Sequence, residues 1–322
     1  MSIYQTLQEE LGENLQENVE LKKYSTFKLG GPAKYFFVAE TQAELIKVVK
    51  LAKKLELPFF ILGGGSNILV NDAGFDGLII KIELRVMEVN NKIIKAQAGA
   101  LLGQIVNLAM QNSLSGLDWA CGIPGTIGGA VRGNAGAYGS DTSKVLTSVE
   151  AYDVVKDEVI TMSITECDFD YRESVFKKNP NLIVLGVEFE LTAGDKEEIK
   201  KIMLDYTKKR ICSQPKFPSV GCNFKNIIVT DEIKNKISEI DSTGLEAIKG
   251  GKIGAAWFID RAGLKGHEIG GAKVSDEHAN SIIKFKEDGR ADDVVQLISY
   301  IKQQVRDKYG IQLQEELQYV GF

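Results

Sequence analysis

A glycine-rich stretch at residues 122–139 sets narrow limits on the structure of this chain, because it holds seven glycines in eighteen positions. Each glycine inside a regular element costs about 0.5–1 kcal/mol relative to alanine, so this density requires a compensating interaction. Apolar residues such as Ile123, Ile127 and Tyr138 interrupt the glycines at irregular spacing, unlike the repeats of a flexible linker. The stretch therefore predicts a folded loop whose backbone lies against a ligand.

A second glycine run, GGGSN at residues 63–67, follows the short apolar segment 58–62. Successive main-chain N–H groups in such loops can converge on an anion, which indicates a phosphate group as the ligand. Neither loop has the Gly-Lys-Ser/Thr ending of a P-loop or the Gly-x-Gly-x-x-Gly spacing of a Rossmann fold, so both of those nucleotide sites are disfavoured. For either loop alone, the alternative is a tight turn without a ligand.

Composition narrows the class of protein. The chain has 322 residues, of which 44% are hydrophobic, and this is enough for two or three domains. Its net charge of -5 argues against a general nucleic-acid binder. The N-terminal segment does not resemble a secretory signal, and no apolar run reaches the roughly 18 residues of a membrane span, so we expect a cytoplasmic protein. Two histidines, and four cysteines without Cys-x-x-Cys spacing, predict reduced thiols and no metal site.

Hydrophobic periodicity predicts a mixed α+β protein. Helices are expected after a capping box formed by Thr41 and Glu44, and over 101–111, 195–211 and 291–308. A hairpin is expected at Asn90 and Asn91. Strands are expected at 35–39, 58–62, 78–82, 148–155, 158–162 and 182–191, with a final strand at the C-terminus. The segment 212–218 (CSQPKFP), after a polar helix surface, predicts a domain junction.

Nine short motifs occur along the chain in a fixed order. They are TFKLGGPA (26–33), LGGGSNIL (62–69), GIPGTIGGA (122–130), NAGAYG (134–139), YRESVFK (171–177), PSVGCNFKN (218–226), AWFIDRAGLKG (256–266), IGGAKVS (269–275) and GIQLQEE (310–316). This series resembles the UDP-N-acetylenolpyruvoylglucosamine reductase (MurB) family of peptidoglycan synthesis over nearly the whole chain. The short spacing from YRES to PSVG is similar to that of the type II subclass, which lacks an additional substrate-capping loop.

The resemblance implies a two-lobed FAD-binding domain of the vanillyl-alcohol-oxidase (PCMH) type and a C-terminal α+β substrate-binding domain. The expected boundaries are 1–85 for lobe 1, joined by the C-terminal strand 309–322, then 86–210 for lobe 2, and 211–308 for the substrate domain with an insertion at 227–251. Noncovalent FAD is expected, because both histidines lie far downstream of the flavin-binding half. The FAD pyrophosphate is expected against main-chain amides where side chains would displace it, at Gly63, Gly64, Gly65, Ser66, Asn67, Thr126, Gly128 and Gly129.

The implied reaction uses NADPH to reduce UDP-N-acetylglucosamine enolpyruvate to UDP-N-acetylmuramate. Addition of a hydride to the methylene carbon loads negative charge onto the substrate carboxylate, which must be stabilised before the adjacent carbon is protonated. Arg172 matches the family's catalytic arginine, whose planar guanidinium can bind a carboxylate through two hydrogen bonds. The alternative for Arg172 is a surface ion pair, for example with Glu173.

Glu316 matches the family's C-terminal glutamate. A carboxyl beside the substrate carboxylate is expected to have a raised pKa, which would let it donate a hydrogen bond to the developing charge. Glu315 is the adjacent alternative. Strand alternation puts Glu315 on the face of Leu313 and Leu317, and Glu316 on the opposite face.

Cys222 stands where most family members have serine as the acid that protonates the substrate carbon. A thiol with its usual pKa of about 8.5 is a stronger acid than an alcohol, so we expect Cys222 to deliver this proton. The alternative is a small buried hydrophobic residue, which is common for free cysteine.

The resemblance also places Lys225 and Asn226 at the substrate diphosphate and Tyr171 at the flavin face. Arg261 stands where the family often has glutamine or glutamate. The insertion 227–251, with helical patterns at 231–240 and 244–248, is either a lid or a tolerated surface insertion, and we favour the second interpretation. Two other functions are compatible with these residues: a flavin-dependent sugar or alcohol oxidase, and a non-catalytic nucleotide-sugar binding protein.

Overall fold

The computed structural model describes residues 2–322. Within this range it has nine α-helices: α1 Ile3–Leu11, α2 Gln42–Lys54, α3 Leu102–Gln111, α4 Ile127–Arg132, α5 Val175–Lys178, α6 Lys196–Ser213, α7 Asp231–Ile240, α8 Ala255–Arg261 and α9 Ala291–Tyr309. Short 3-10 helices lie at Gly12–Asn14, Leu21–Tyr24, Asp118–Ala120, Thr142–Lys144 and Ser242–Ala247. The mixture of helices and strands agrees with the predicted α+β class.

The strands are two to nine residues long. Their bounds are β1 Leu15–Glu20, β2 Pro32–Ala39, β3 Phe59–Leu62, β4 Ile68–Val70, β5 Phe75–Ile82, β6 Met87–Asn90, β7 Ile93–Gln97, β8 Leu114–Ser115, β9 Gly136–Ala137, β10 Ser140–Asp141, β11 Leu146–Asp153, β12 Glu158–Ser163, β13 Leu182–Glu190, β14 Thr192–Ala193, β15 Ile227–Ile228, β16 Lys252–Ile253, β17 Glu268–Ile269, β18 Ala272–Val274, β19 Ile282–Lys284 and β20 Gln318–Val320.

The chain divides into two compact units, each with its own hydrophobic core. Unit 1 consists of the residues up to Val19, together with Ala33–Gly65 and Phe75–Cys212. Unit 2 consists of Glu20–Pro32, Ser66–Gly74 and Ser213–Phe322. The division after Cys212 falls at the predicted junction 212–218.

Unit 1 contains a sheet in the order β1-β2-β5-β3, in which β2 and β3 both run parallel to β5. Helix α2 connects β2 to β3 and begins at a capping box. The Glu44 N–H donates to Thr41 Oγ1 at 3.2 Å, and the Thr41 N–H donates to Glu44 Oε2 at 3.1 Å. Val48, Val49 and Ala52 on one face of α2 are fully buried. The predicted capping box and apolar stripe are therefore confirmed.

Unit 1 also contains an antiparallel sheet in the order β12-β11-β13-β7-β6. The predicted hairpin between β6 and β7 is confirmed, since Asn90 pairs with Ile93 and Asn91 adopts a left-handed φ of 55°. Helix α4, which begins inside the glycine-rich stretch, packs on β13 and β7. This sheet therefore supports the stretch that the sequence marks as a ligand loop.

Unit 2 is built around α9, whose residues Val294, Ile298, Ile301 and Val305 are buried as the periodicity predicts. Asp72 caps this helix, because its Oδ1 accepts from the Ala291 N–H at 2.9 Å and its Oδ2 accepts from the Asp292 N–H at 3.1 Å. Unit 2 also contains three small sheets. They are β15–β16, β17-β18-β19 and the parallel pair β4–β20.

Two early segments, 20–32 and 66–74, belong to unit 2, although the resemblance placed them in lobe 1. The physical reason is strand pairing across most of the chain. In β4–β20, Ile68 pairs with Gln318 and Val70 pairs with Val320, while the Gly31 N–H donates to the Asn71 carbonyl at 2.9 Å. The strand near the C-terminus thus joins residues from the predicted lobe 1, and it does so inside unit 2.

The segment 227–251 contributes to the core of unit 2, contrary to our expectation of a tolerated surface insertion. Its helix α7 has the predicted bounds, and Ile237 on that helix is fully buried. A Cβ on Gly244 would lie 2.4 Å from the Trp257 ring, so the 3-10 helix packs closely against α8. The Arg261 guanidinium donates to Asp241 Oδ2 through Nη2 at 2.7 Å and through Nε at 3.1 Å. Arg261 therefore holds this segment in place.

Candidate active site

The two glycine loops approach each other within unit 1. A Cβ on Gly63 would lie 2.6 Å from Thr126 Oγ1, and a Cβ on Gly64 would lie 2.6 Å from the Cα of Gly125. Real side chains do not tolerate such distances, so glycine is required at 63 and 64 by contact between the loops. Gly65 adopts a left-handed φ of 63°, which glycine accommodates without strain. The glycines of this loop therefore have a structural reason in addition to the expected ligand.

Thr126 organises the second loop from a buried position. Its Oγ1 accepts from the Gly129 N–H at 3.4 Å, at the start of α4. The Gly128 N–H donates to the Ala98 carbonyl at 2.8 Å, and a Cβ on Gly128 would lie 3.0 Å from the Ala98 Cβ. Gly128 therefore connects the loop to Ala98, the residue that follows β7 of the five-stranded sheet. A Cβ on Gly129 would have Thr126 Oγ1 as its nearest atom, at 3.6 Å.

Ser66 and Asn67 continue the first loop in unit 2. Asn67 Nδ2 donates to the Glu316 carbonyl at 3.1 Å, and the Asn67 carbonyl accepts from the Gln318 N–H at 3.0 Å. The end of the glycine loop is thus hydrogen-bonded to the segment that carries the predicted catalytic glutamate. Sequence reasoning assigned Asn67 to the cofactor and did not identify this connection.

Arg172 belongs to unit 1 and lies on a two-residue turn closed by reciprocal main-chain hydrogen bonds of 3.1 Å between Asp170 and Glu173. Its φ of 58° is left-handed, which is unusual for a residue with a side chain. Its Nη2 donates to the Gly136 carbonyl at 2.8 Å and its Nη1 to the Asn134 carbonyl at 3.3 Å. The guanidinium also lies 5.2 Å from the centre of the Tyr171 ring.

Buried polar side chains stabilise this turn, and one of them, Asn134, belongs to the NAGAYG motif. Asn134, only 4% exposed, donates from Nδ2 to the Asp170 carbonyl at 3.0 Å and accepts at Oδ1 from the Ser143 N–H at 3.1 Å. Ser174 donates from Oγ to the Arg132 carbonyl at 2.7 Å. Burial lowers the pKa of the Arg132 guanidinium, and the nearby Glu173 carboxylate partly opposes this effect. Asn134 lies in the NAGAYG motif, but nothing in that motif predicts this supporting role.

Cys222 and Glu316 lie on neighbouring segments of unit 2. The Glu316 N–H donates to the Asn223 carbonyl at 2.8 Å, and the Lys225 N–H donates to the Gln314 carbonyl at 2.8 Å. Cys222 is therefore the chain neighbour of Asn223, whose carbonyl accepts the hydrogen bond from the Glu316 N–H. Cys222 is partly buried. The structure brings these two predicted catalytic residues together.

The Glu315 side chain has two partners within unit 2. Lys302 Nζ donates to Glu315 Oε1 at 2.7 Å. Burial raises the pKa of the Tyr319 hydroxyl, and so does its hydrogen bond to Glu315. Glu315 therefore forms an ion pair and a hydrogen bond within unit 2.

Lys225 and Asn226, the residues expected at the substrate diphosphate, directly precede β15, which pairs with β16. In this antiparallel pair, Ile227 lies opposite Ile253 and Ile228 lies opposite Lys252. This pairing therefore brings the two ends of the segment 227–251 together, immediately after the two predicted binding residues.

Two kinds of feature are absent from residues 2–322. Within that range, no helix is both long and apolar enough to cross a bilayer. Nor does the same part of the chain contain a cluster of three or more His, Cys, Asp or Glu side chains suited to a metal ion.

Comparison with known proteins gives consistent results along the chain. Residues 33–163 match the model for an FAD binding domain, and residues 214–320 match the model for the UDP-N-acetylenolpyruvoylglucosamine reductase C-terminal domain. A UDP-N-acetylenolpyruvoylglucosamine reductase of Caldanaerobacter subterraneus subsp. tengcongensis is 38% identical, covering 94% of this chain and 93% of its own length. One from Solibacter usitatus is 34% identical, covering 94% and 95%.

The fold comparison agrees. The crystal structure of UDP-N-acetylenolpyruvylglucosamine reductase (MurB) from Thermus caldophilus superposes with a TM-score of 0.75 and 32% identity, covering 95% of this chain and 99% of that one. Sequence and fold similarity thus extend over almost the whole of both partners. This chain belongs to the UDP-N-acetylenolpyruvoylglucosamine reductase family.

Proposed function

We propose that this protein is an FAD-dependent reductase that uses NADPH to convert UDP-N-acetylglucosamine enolpyruvate to UDP-N-acetylmuramate, a step of peptidoglycan synthesis. The observation that supports this proposal most directly is the hydrogen bond from the Glu316 N–H to the carbonyl of Asn223, the residue after Cys222. It places the main chain of Glu316 beside the residue that follows Cys222, and an acid and a carboxyl group are the two groups that reduction of an enolpyruvyl ether requires in addition to a carboxylate-binding cation.

The loop residues fit FAD. No acidic residue occurs in 63–67 or 122–139, so no carboxylate would repel a pyrophosphate there. Because Gly63 and Gly64 pack against the loop at 125–126, the two loops offer main chain in place of bulky side chains. We assign the pyrophosphate to residues 63–67 together with Thr126, Gly128 and Gly129, of which Gly128 contributes through its missing side chain, since its N–H is bonded to Ala98. Bound FAD would transfer the hydride from NADPH to the substrate.

Arg172 is assigned to the substrate carboxylate. Its guanidinium, which carries five N–H donors in a planar fork, binds two main-chain carbonyls through Nη1 and Nη2. As negative charge develops on the substrate, a fixed cation stabilises it more than water would, because the protein dipoles are already oriented. Tyr171, beside this guanidinium, is assigned to the flavin face, and Lys225 and Asn226 to the diphosphate.

Cys222 and Glu316 are assigned to the final proton and to the developing charge. The Cys222 thiol gives its proton to the carbon adjacent to the methylene carbon, so the carbon–carbon double bond becomes single and the thiol is left as thiolate. A protonated Glu316 donates a hydrogen bond to the substrate carboxylate. The thiolate must then recover a proton before the next cycle.

The test is anaerobic photoreduction of the bound flavin, followed by mixing with UDP-N-acetylglucosamine enolpyruvate. We expect the oxidised flavin spectrum to return quickly in wild-type protein and in Cys222→Ser, and slowly in Cys222→Ala. If Cys222→Ala reoxidises at the wild-type rate, another group supplies the proton. Reoxidation by oxygen but not by the enolpyruvyl sugar would identify an oxidase, and a colourless protein would identify a nucleotide-sugar binder. The cytoplasmic location and the two-lobe division stay predictions.

A further inference from the structure

The segments 222–226 and 280–282 are joined by reciprocal hydrogen bonds between side-chain amides and main chain. Asn280 Oδ1 accepts from the Phe224 N–H at 3.0 Å, and Asn280 Nδ2 donates to the Phe224 carbonyl at 2.8 Å. In the other direction, Asn223 Oδ1 accepts from the Ile282 N–H at 2.8 Å. A main-chain bond of 2.8 Å from the Asn223 N–H to the Asn280 carbonyl completes the set. We call these four hydrogen bonds the amide clamp.

The amide clamp is shielded from water. Asn223 is fully buried, and Asn280 and Phe224 are 2% and 1% exposed. One asparagine side chain thus satisfies both polar groups of residue 224, and these groups have no water to replace that partner. Loss of either amide would leave a buried N–H or carbonyl unsatisfied, which makes the clamp a stiff connection.

The amide clamp is connected to Cys222 and Glu316, the two residues assigned to the chemistry in unit 2. Asn223 follows Cys222 in the chain, and its carbonyl accepts the Glu316 N–H at 2.8 Å. A shift of residue 223 would therefore move the main chain at Cys222 and release the bond to Glu316. Proton delivery to carbon depends on the distance between donor and acceptor, so a shift here acts on the reaction itself.

Two buried polar atoms at the amide clamp are not satisfied by the described chain. Asn223 Nδ2 and Ser281 Oγ have no hydrogen-bond partner among residues 2–322. An apolar residue at 223 would remove one unsatisfied donor, although it would also lose the bond to Ile282. Packing alone therefore does not explain an asparagine at 223. A polar side chain there is explained if its hydrogen bonds hold the neighbouring reactive residue in position.

We infer that Asn280 is a positioning residue that, through Asn223 and Phe224, fixes the Cys222 thiol and Glu316 for protonation of the substrate. This inference rests on the proposed function. Asn280 touches neither substrate nor flavin in this account, and it acts only through the main chain of the segment 222–226.

The first test compares Asn280→Ala with Ile298→Ala, a core variant on α9 in the same unit that removes apolar packing but none of the four hydrogen bonds of the clamp. In Asn280→Ala, we expect flavin reduction by NADPH to be unchanged and reoxidation by the enolpyruvyl sugar to slow by about 100-fold, as expected for a displaced reacting group. Ile298→Ala should lose stability but retain both rates. If Asn280→Ala does not fold, Asn280→Asp serves, because it keeps the acceptor for the Phe224 N–H and loses the donor to the Phe224 carbonyl.

The second test needs no turnover. The rate at which iodoacetamide alkylates Cys222 is followed against pH by peptide mass spectrometry in wild-type protein and both variants. We expect the midpoint of the profile to shift in Asn280→Ala and to stay in place in Ile298→Ala. An unchanged midpoint and unchanged reoxidation in the Asn280 variants, with Cys222→Ala slow, would overturn the positioning role and leave the proposed function intact. Wild-type reoxidation in Cys222→Ala would instead overturn the acid assignment.

Discussion

Unit 1 and unit 2 hold their assigned catalytic side chains by different means. In unit 1, Arg172 lies on a tight turn in a left-handed conformation, and its guanidinium is held by the carbonyls of Asn134 and Gly136. In unit 2, Cys222 and Glu316 lie on segments that the fully buried Asn223 connects through main-chain bonds. One arrangement fixes the tip of a long side chain, and the other fixes the backbone beneath two short reactive groups.

The difference matches the two tasks. A guanidinium that binds a carboxylate can adjust its torsions while keeping its charge close to the substrate. Proton transfer to carbon requires the donor within hydrogen-bond reach of one atom, so the backbone beneath the donor must be rigid. We therefore expect unit 1 to be sensitive to the identity of one side chain, and unit 2 to be sensitive to the hydrogen bonds beneath its reactive groups.

The largest effect is expected for Arg172→Lys. Lysine keeps the charge but loses the planar pair of donors, so reoxidation of the reduced flavin by the enolpyruvyl sugar should slow by about 100- to 1,000-fold. Bound FAD should be retained, and thermal stability should fall only slightly, because lysine cannot make both bonds to the Asn134 and Gly136 carbonyls. Stopped-flow absorbance measures the rate, and a lysine variant at wild-type rate would remove Arg172 from the chemistry.

Asn134→Ala tests how the turn in unit 1 is supported. Two hydrogen bonds disappear, and alanine must adopt the left-handed φ of 38°, so the free energy of unfolding should fall by about 2–3 kcal/mol. Urea unfolding provides the measurement. The exposed Asn181→Ala is the control and should stay close to wild type. A loss no greater than that of the control would show that the turn is held by other contacts.

Alkaline pH should weaken unit 1. Burial raises the pKa of the Cys167 thiol to about 11, and burial with a hydrogen bond to Asp157 raises the pKa of Tyr152 to about 12. Between pH 9 and 10.5 the unfolded Cys167 thiol ionises while the folded one keeps its proton. Stability should therefore fall with rising pH, by about 1–2 kcal/mol. The variant Cys167→Ala should lack this part of the decline.

Acidic pH provides the matching test for unit 2. Burial lowers the pKa of His278 below its usual 6.5, so folding favours the neutral imidazole. The associated stability is present above pH 6.5 and is lost as the pH falls below that value. Hydrogen exchange of peptides from each unit separates the two effects. Equal loss of protection in both units at either extreme of pH would contradict this comparison.

The smallest effect is expected for Glu315→Gln. The ion pair with Lys302 is partly exposed, so its loss should cost at most about 1 kcal/mol of stability and should leave reoxidation near the wild-type rate. Glu316→Gln should instead slow reoxidation, because an amide cannot replace a protonated carboxyl that is matched to a developing charge. Similar rates in the two variants would reopen the choice between these glutamates.

Local signals allowed much of the fold to be predicted. The capping box at Thr41, the hairpin at Asn90 and the bounds of α7 all depend on residues close in sequence, and all three agree with the structure. The resemblance places the C-terminal strand with lobe 1, and β20 does pair with β4, but no local pattern predicts that this pairing puts 66–74 in unit 2. The burial of Ile237 was missed for a related reason, since helical periodicity identifies an apolar face but not its partner.

For the candidate site, the motifs provided the residues, and the structure provided the connections between them. The family resemblance indicated Cys222 and Glu316 separately, and only the structure links them through Asn223. Asn280 lies in none of the nine sequence motifs, because a buried amide that bonds to main chain has no characteristic spacing in sequence. Its contribution becomes visible only when the polar groups of Phe224 are followed to their partners.

The parallel pairing of β4 with β20 has a consequence for how the protein is made. Asn67 and Glu316, which are hydrogen-bonded, lie 249 positions apart. At a synthesis rate of about 5–20 residues per second, the ribosome would deliver the second segment roughly 10–50 seconds after the first. Unit 2 therefore cannot be completed until β20 has emerged from the exit tunnel. The nascent chain must carry an unpaired β4 until then.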